Sequence, residues 1–446
     1  MSDARRAKET GAGARESKLE PARHAATPRR LRRRVWIVRL VAPLAILGPG
    51  LIAANASNDA GGVAAYASVG ARYGYDLLWV IVLITVSLIV VQEMAGRMGI
   101  VTGKGFAEVV REHYGVRWTT VVLLSILVTN LAIGISEFVG IAAASELLHV
   151  PREVTVPLAA VLVWTILVRG SYRWAERIFI AMTIPFFAYP IAAVLAHPHW
   201  GTVGYAIVKP QLHTSPRYVY LVVAIVGATI MPFMQLYLQS AVAERGVRVE
   251  ELGRQRLDIV GGVIFANLIA GFIIISTAAA LFAHGITNVG SAADAARALE
   301  PFAGHFAKEL FAVGLLGASL LAAAILPVTT AYVISESFGM EKGVGRHFRE
   351  APVFTTTITV LVGTGAIVAL IPGLPVIALL VGVQGLNGVF APITLFFLWR
   401  LSRNRELMGE WRSGRFLSAV AGATVIAMTI LSLVLLVATV TNPGGL

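Results

Sequence analysis

The chemistry of this sequence is concentrated in two irregular stretches of otherwise apolar sequence. The first, GPGLIAANASNDAGGVAAYASVG (48–70), carries one carboxylate, Asp59, and the second, VVAIVGATIMPFMQLYLQSAV (222–242), places Met231 beside a proline. An ionised carboxylate far from water is unfavourable, so it marks a functional site by default. Carboxylate oxygens suit divalent cations, and a thioether is a soft ligand. Together these side chains favour a borderline or softer divalent ion over an alkali cation.

Three further polar side chains fall at predicted membrane depth: Glu137 in the third span, and Gln384 and Asn387 in the tenth. The carboxylates near predicted cytoplasmic span ends are expected to reach water: Glu93, Glu244, Asp258 and Glu336. The candidate site therefore centres on Asp59, with Glu137 as the second deep carboxylate.

Membrane-spanning helices are the elements that would hold these residues. Of 446 residues, 57% are hydrophobic and 14% are charged, against about 25% charged residues in soluble domains. Long apolar runs approach or exceed the roughly 20 residues that cross a bilayer. Hydropathy predicts eleven spans: 40–70, 76–96, 118–147, 153–169, 177–196, 217–243, 258–284, 307–337, 353–371, 374–399 and 416–441.

Lysines and arginines set the predicted orientation. Thirty-one of the 37 fall in the N-terminal tail and in alternate loops, and six fall in the other loops. Because cytoplasmic loops carry the excess of positive charge, the pattern predicts a multi-pass protein of the plasma membrane with a cytoplasmic N-terminus and an external C-terminus. The same distribution accounts for the net charge of +12 without a nucleic-acid partner.

The spans divide the chain into three predicted regions. Residues 1–39 form a disordered basic cytoplasmic tail, residues 40–400 a ten-helix transport core, and residues 401–446 a cytoplasmic loop with the eleventh helix. The absence of cysteine excludes disulfides and thiolate metal sites. His-Glu-x-x-His is also absent, as is Gly-x-Ser-x-Gly at membrane depth, so we expect neither an enzyme nor a cofactor. The expected partners are a small substrate and the lipid bilayer, with the protein a monomer or weak dimer.

The two irregular stretches lie five spans apart. Proline removes a backbone donor and glycine weakens a helix, and broken backbone at membrane depth is tolerated only where it lines a cavity or lies within protein. Two broken helices at this spacing are typical of a five-plus-five inverted repeat that binds substrate near the midplane. A plain kink at Pro232 and glycines for close helix packing explain each break alone but not the matched pair.

These motifs resemble the NRAMP family of divalent-metal transporters, from about residue 44 to the last helix. GPGLIAANASNDAGG, YGYDLLWVIVL and GRMGIVTGKGFAEVVREHYG are similar to the family's first two helices and following loop, SEFVGIAAASELLHVP to its third helix and GATIMPFMQLYLQS to its sixth. The resemblance implies an all-α, LeuT-type fold with broken first and sixth helices. It also implies that the metal is bound by three side chains and two backbone carbonyls, those of Asp59, Met231 and Gln384 and of Ala56 and Ala228.

The chain departs from the family at several of its functional positions. Gly62 replaces the family's metal-binding asparagine, which removes one oxygen and is expected to open space for water. Phe233 replaces the first of two sixth-helix histidines, and the second falls on Leu238 or Gln239. Gly134 replaces an aspartate one turn before Glu137 in the third helix.

These losses bear on proton coupling, which needs groups that can titrate. We therefore expect coupling to be weak or absent. The positions that remain around the metal or on a proton route are Gly62, Glu137, Asn387 and Gln239.

The predicted function is secondary transport of divalent cations by alternating access, with Mn²⁺ favoured and Fe²⁺ or Mg²⁺ as alternatives. The pattern is also similar to the divergent NRAMP-related branch, whose wider site accepts a more hydrated ion, including Mg²⁺, without proton coupling. Mg²⁺ keeps several waters, which fits Gly62, whereas the thioether of Met231 favours Mn²⁺ or Fe²⁺. A LeuT-fold amino-acid transporter is less favoured, because Asp59 would repel a substrate carboxylate. A passive channel is a further alternative, which saturation of flux with metal would distinguish from a carrier.

Overall fold

The structure is a computed structural model that describes residues 49–169, 184–300, 304–344, 346 and 348–441. The chain divides into residues 1–45 and residues 46–446. The first unit, and with it the predicted tail 1–39, lies outside the described residues. All the regular secondary structure in the described ranges is helical, without a strand, which confirms the predicted all-α class.

The described α-helices are numbered here in chain order. Their bounds are α1 Pro49–Asn55, α2 Ala60–Tyr73, α3 Leu78–Thr102, α4 Phe106–Leu147, α5 Arg152–Arg169, α6 Ala188–Leu195, α7 Trp200–Val208, α8 Pro216–Thr229, α9 Pro232–Glu244, α10 Leu252–Ala280, α11 Ala292–Ala296, α12 Ala307–Phe338, α13 Pro352–Ala369, α14 Val376–Ser402, α15 Arg405–Met408 and α16 Arg415–Thr441. Helix α4 changes direction at Gly115, whose φ of 75° only glycine adopts readily. The segment after this kink is the predicted third span.

Eight helical segments in the described ranges are long and apolar enough to cross a bilayer. They correspond to the predicted second, third, sixth, seventh, eighth, ninth, tenth and eleventh spans. The first span is interrupted, the fourth (α5) carries charges at both ends, and residues 177–183 of the fifth lie outside the described residues. The membrane architecture is therefore confirmed, and the count of eleven stays a prediction.

The first span breaks at the predicted place. Helix α1 ends at Asn55, a 3₁₀ turn covers Ala56–Asn58, Asp59 is extended (φ −67°, ψ 176°), and α2 begins at Ala60. The turn keeps the backbone compact, while the extended residue redirects it. A carboxylate with extended backbone just before a helix is the geometry of an N-cap, so the sequence itself favours a new helix start here.

The sixth span breaks in a similar way. Helix α8 ends at Thr229, Met231 is extended (φ −77°, ψ 133°), and α9 begins at Pro232. Proline is well suited to the first helical position because its missing N–H is unpaired there anyway. Pro232 therefore starts a second helix, and the interpretation of a plain kink is wrong.

Close helix packing surrounds both breaks. Helix α10 contacts both halves of the first span, α8 lies along α14, and α4 lies along α12. A Cβ added to Gly227 of α8 would meet the Gln384 carbonyl oxygen of α14 at 2.2 Å, so glycine allows these two helices to touch at backbone distance. The broken spans are thus enclosed by protein, the environment that interrupted backbone requires at membrane depth.

One helix that hydropathy does not predict is α7, which follows the fifth span. Its nine residues, WGTVGYAIV, are too few to cross a bilayer and mostly exposed, although α7 contacts α3. Hydropathy counts span-length segments, so a short apolar helix between spans leaves no signal in it.

Candidate functional site

The Asp59 carboxylate is held by the helix that it caps. Its Oδ1 accepts a hydrogen bond from the Gly62 backbone N–H at 2.5 Å, and the residue is only 1% exposed. A helix N-terminus presents unpaired N–H groups and a partial positive charge, so it orients a carboxylate. Asp59 is therefore fixed in position at the start of α2 rather than free to rotate.

Gln384 of α14 approaches the same carboxylate from the side. Its Nε2 lies 3.1 Å from each of the two Asp59 carboxylate oxygens. The contact depends on Gly61, since a Cβ there would lie 2.1 Å from Nε2 of Gln384. Gln384 Oε1 is buried and has no hydrogen-bond partner in the described part of the chain.

Glu137 of α4 lies on the other side of the break. Its Oε2 accepts a hydrogen bond from the Ala60 backbone N–H at 3.2 Å, and Oε1 accepts one from Ser136 Oγ at 3.3 Å. The Ala60 residue bonded by Glu137 follows Asp59 directly in the chain, so the two carboxylates flank the same break. The structure thus brings together three side chains predicted from the sequence: Asp59, Gln384 and Glu137.

Gly62 does not open space, contrary to expectation. A Cβ at this position would lie 2.2 Å from the Ser57 carbonyl oxygen and 3.0 Å from Asp59 Oδ1. The 3₁₀ turn folds back over the start of α2, so backbone fills the place that an asparagine side chain would need. Because Gly62 has no side chain, the Ser57 carbonyl can approach the start of α2 closely.

The second break lies beside α2 and α14. The Tyr66 hydroxyl and Thr229 Oγ1 are 2.9 Å apart, which joins α2 to the last residue of α8. Asn387 Nδ2 donates to the Gly227 carbonyl at 2.7 Å, which joins α14 to the same helix end. Ala228, Ala56 and Met231 are buried, with Met231 as the N-cap residue of α9.

Tyr66 and Thr229 were missed by reasoning from the sequence. Both are polar side chains inside predicted spans, which is a usable signal. Their roles depend on a contact between spans that the sequence does not encode locally.

Gln239 lies apart from this cluster. It is eight residues beyond Met231, about 12 Å along α9 at 1.5 Å per residue, and its Nε2 donates to the Lys104 carbonyl at 3.1 Å. It joins α9 to the loop before α4 and therefore belongs to the packing at that end of the molecule.

The carboxylates expected to be solvated span ends are mostly buried. The Glu336 side chain is fully buried, and its carboxylate accepts from Ser240 Oγ at 2.8 Å and from the Ala107 backbone N–H at 3.3 Å, with Lys342 Nζ at 3.1 Å. A Cβ at Gly105 would overlap the same carboxylate. We call the contacts of Glu336 with Ser240, Ala107 and Lys342 the glutamate seal.

Two more of these predictions fail in the same way. The Glu93 side chain is 8% exposed and pairs with Arg97 at 3.0 Å and with Arg256 at 2.8 Å. Asp258 is buried, and its Oδ2 accepts from the Gly50 backbone N–H at 2.8 Å. Hydropathy places these carboxylates near water, but packed neighbours supply cations and backbone donors instead. Glu244 is exposed as expected.

A cavity of about 360 Å³ lies at the opposite end from the glutamate seal. It lies between the end of α2, the start of α8, residues 287–290 and the start of α14, with two arginines, Arg72 and Arg217, in its wall. We call it the arginine cavity. Leu221, at its wall, is ten residues from Met231, about 15 Å along α8. The cavity therefore leads toward the two breaks and stops short of them.

The donor set around the breaks is sparse. In the described ranges no three His, Cys, Asp or Glu side chains converge as metal ligands. A cation here would have to rely on one or two carboxylates supplemented by amide, thioether and carbonyl groups. Such a site suits an ion that is bound and released rather than a permanent structural metal.

Solved structures with the same architecture are transporters. The manganese transporter of Eremococcus coleocola has a TM-score of 0.73 at 19% identity, covering 94% of this chain and 90% of its own. Mhp1, a nucleobase-cation-symport-1 family transporter, has a TM-score of 0.56 at 13% identity, covering 89% of this chain and 93% of its own. These likenesses show the LeuT-type fold.

The sequence comparisons are more specific. The model of the natural resistance-associated macrophage protein-like family matches residues 50–438. The "Divalent metal cation transporter MntH" of Ralstonia nicotianae is 32% identical over 405 residues, or 87% of this chain and 90% of the relative. The protein of the same name from Klebsiella pneumoniae is 29% identical over 400 residues, or 87% of this chain and 92% of the relative. The chain therefore belongs to the NRAMP family, as its motifs suggest.

Proposed function

We propose that this protein moves divalent metal cations across the plasma membrane by alternating access, with Mn²⁺ favoured and Fe²⁺ or Mg²⁺ as alternatives. The observation that carries the proposal is the buried Asp59 carboxylate at the break of the first span, beside a second broken span. Two relatives are named divalent metal cation transporters. The N-terminus would be cytoplasmic and the C-terminus external, as the loop charges favour.

The proposed ligands are the side chains of Asp59, Met231 and Gln384 and the backbone carbonyls of Ala56 and Ala228. Helix ends leave carbonyl groups without partners inside the helix, and both alanines lie at such ends. The Gln384 amide nitrogen cannot ligate a cation. We therefore infer that Gln384 turns its Oε1 toward the ion on binding, and this oxygen has no other hydrogen bond in the described residues to lose.

Proton coupling is proposed to be weak or absent. Glu137 is the one deep carboxylate beside Asp59 in the described ranges, and the histidines of the family's sixth helix are replaced by Phe233 and by Leu238 or Gln239. A route for protons would have to pass these positions without a titratable side chain. The alternative is an uncoupled transporter selective for Mg²⁺. The closed space at Gly62 does not favour it, because a more hydrated ion needs room for water.

The first test is uptake of Mn²⁺ into proteoliposomes by the Asp59→Ala variant. We expect uptake to fall to the level of empty liposomes, because the variant loses the only proposed charged ligand of the ion. Asp294→Ala is the control, since Asp294 is a carboxylate in the first turn of α11 and is not a proposed ligand. Uptake by Asp59→Ala at the parental rate would refute the site.

The second test measures the preference among metals and, separately, the coupling of metal uptake to protons. Met231→Ala removes the soft ligand, so the ratio of Mn²⁺ to Mg²⁺ uptake should fall by about tenfold, as expected for one ligand of about 1.4 kcal/mol. Met234→Ala, one turn along α9, is the control for lost packing. An internal pH dye measures coupling in the same liposomes. Acidification that accompanies metal entry would overturn the uncoupled proposal.

The amino-acid transporter is tested by ligand binding. MhsT, a solved neighbour with a TM-score of 0.57 at 14% identity, was crystallised with L-phenylalanine. We expect the present protein to bind no amino acid, because the Asp59 carboxylate occupies the helix start that would receive a substrate carboxylate. Saturable binding of an amino acid to the unmodified protein would favour this alternative.

A further inference from the structure

A second cavity, distant from the breaks, lies between α14 and α16. Its volume is about 860 Å³. Three arginines line it, Arg403 after the end of α14, Arg412 in the connecting loop and Arg415 at the start of α16, against one carboxylate, Glu410. In the described residues none of the three arginines forms an ion pair with a carboxylate. The cavity therefore presents net positive charge at the boundary of the membrane.

The wall of the cavity is a tryptophan fixed between the two helices. Trp399 Nε1 donates to the Ser418 carbonyl oxygen at 2.9 Å and lies 3.1 Å from Ser418 Oγ. The Arg403 guanidinium carbon lies 5.1 Å from the centre of the indole ring. This contact holds one arginine at the cavity and keeps its charge beside an aromatic surface.

An apolar trough continues from the arginines into the membrane region. The residues of α16 that line the cavity recur at helical spacing and form one face: Arg415, Ser418, Ala419, Gly422, Ala423 and Ile426. A Cβ at Gly422 would lie 3.0 Å from the Trp399 ring, so the middle of this face is shallow. Ile426 is 60% exposed and lies about 16 Å along the helix from Arg415.

The loop that carries Arg412 is anchored to the rest of the protein. The Arg97 side chain donates to the Trp411 carbonyl and, at 2.9 Å, to Ser413 Oγ. Arg97 is itself paired with Glu93 at 3.0 Å. The polar end of the cavity is thus built on α3 as well as on α14 and α16, and its arginines are presented by a fixed loop.

We propose that this cavity binds one anionic phospholipid, with its phosphate headgroup among Arg403, Arg412 and Arg415 and an acyl chain along Ala419, Gly422 and Ala423. The arrangement matches the ligand at both ends: positive charge where the bilayer is polar and an open apolar trough where it is apolar. Basic pockets between spanning helices are known to receive such headgroups. A zwitterionic lipid carries no net charge to match the arginines, so we expect discrimination by headgroup.

The test is native mass spectrometry of the purified full-length chain after incubation with phosphatidylglycerol or with phosphatidylcholine of the same acyl chains. We expect one phosphatidylglycerol to be retained preferentially. The triple variant Arg403→Gln, Arg412→Gln, Arg415→Gln should weaken its binding by about 100-fold, at the usual contribution of a basic residue near a charged surface. The matched control is Arg254→Gln, Arg349→Gln, Arg405→Gln, which removes the same charge from three exposed arginines outside the cavity.

A second pair of variants separates a lipid from a free phosphate ion. Ala423→Trp fills the trough and should abolish retention, whereas Leu433→Trp, on an exposed position of α16 outside the cavity, should not. Equal retention of both lipids, or equal loss in the charge-matched control, would overturn the proposal. Binding that survives Ala423→Trp and is displaced by inorganic phosphate would assign the site to a phosphate ion and also overturn it. Circular dichroism verifies that each variant is folded.

Discussion

The two ends of the proposed transport route are held together by different interactions. At one end, the glutamate seal joins α4, α9, α12 and Lys342 of the following loop through a buried carboxylate. At the other end, the arginine cavity reaches toward the breaks, and the bond between Tyr66 and Thr229 joins α2 to α8 below it. One closure is an ion pair with charge-assisted hydrogen bonds, whereas the buried bond of the other, between Tyr66 and Thr229, joins neutral groups.

This difference indicates which end of the protein requires more free energy to open during alternating access. A neutral hydrogen bond contributes about 1 kcal/mol, while removal of one partner from a buried ion pair is unfavourable by about 3–5 kcal/mol. By the proposed orientation the glutamate seal lies on the cytoplasmic side. The protein should therefore rest with its cytoplasmic side closed, and opening that side should be the larger step of the transport cycle.

The largest expected effect comes from removing the charge of the seal. Glu336→Gln removes the buried charge of the pair and leaves Lys342 with Glu108, at 3.3 Å, as its remaining carboxylate, so the cytoplasmic side should open more often. The chain has no cysteine, which allows a single thiol, Leu238→Cys on α9, to report on access. We expect its alkylation rate in inside-out vesicles to rise at least about tenfold in the Glu336→Gln background.

The matched control is Glu341→Gln. Like Glu336, Glu341 pairs with a cation of this loop. Its partner is Arg346, at 2.5 Å, and the Glu341 side chain is exposed. An exposed pair contributes little to stability, so alkylation of Leu238→Cys should stay near the parental rate. An equal rise in both backgrounds would attribute the effect to surface charge and remove the distinction between the two ends.

A smaller effect is expected at the other closure. Tyr66→Phe removes the bond to Thr229 without changing the ring, and a loss of about 1 kcal/mol corresponds to about a fivefold shift in population. The reporter is Val63→Cys, a buried position one turn closer to Asp59, alkylated from the outside. Tyr73→Phe, which loses a more exposed bond to Ser215, is the control. If Tyr66→Phe changed labelling as strongly as Glu336→Gln, the two closures would be equivalent.

The sequence was sufficient for the features that depend on local chemistry. Asp59 could be predicted as the centre of a break because a carboxylate, glycines and asparagines interrupt an apolar run, and an aspartate before Ala60-Gly61-Gly62 also favours an N-cap. Pro232 likewise marks the start of α9. Family motifs then supplied Gln384, whose contact with Asp59 joins positions 325 residues apart and leaves no trace in local periodicity.

The errors arose where tertiary contacts decide the outcome. From the sequence, Gly62 is expected to leave the space of a missing side chain open for water. In the structure the 3₁₀ turn folds over this position, so the Ser57 carbonyl fills that space. Glu336 reads as a solvated span end, but Lys342, Ser240 and the start of α4 enclose it. Hydropathy assigns depth along the membrane normal, whereas burial also depends on which neighbours lie beside a residue in the membrane plane.

The smallest predicted effect concerns the charge of the arginine cavity. Arg217 lies about 21 Å along α8 from Met231 and lines a cavity with a second cation, Arg72. A unit charge at this distance in water repels a divalent ion by less than about 1 kcal/mol, so Arg217→Gln should lower the apparent KM for Mn²⁺ about twofold at low ionic strength. Lys209→Gln, an exposed cation outside the cavity, should have less effect. The difference should vanish as salt shortens the Debye length below about 8 Å. A KM that stays equal in both variants at low salt would show that the arginine cavity is not on the path of the free cation, and the comparison of the two ends would then rest on the glutamate seal alone.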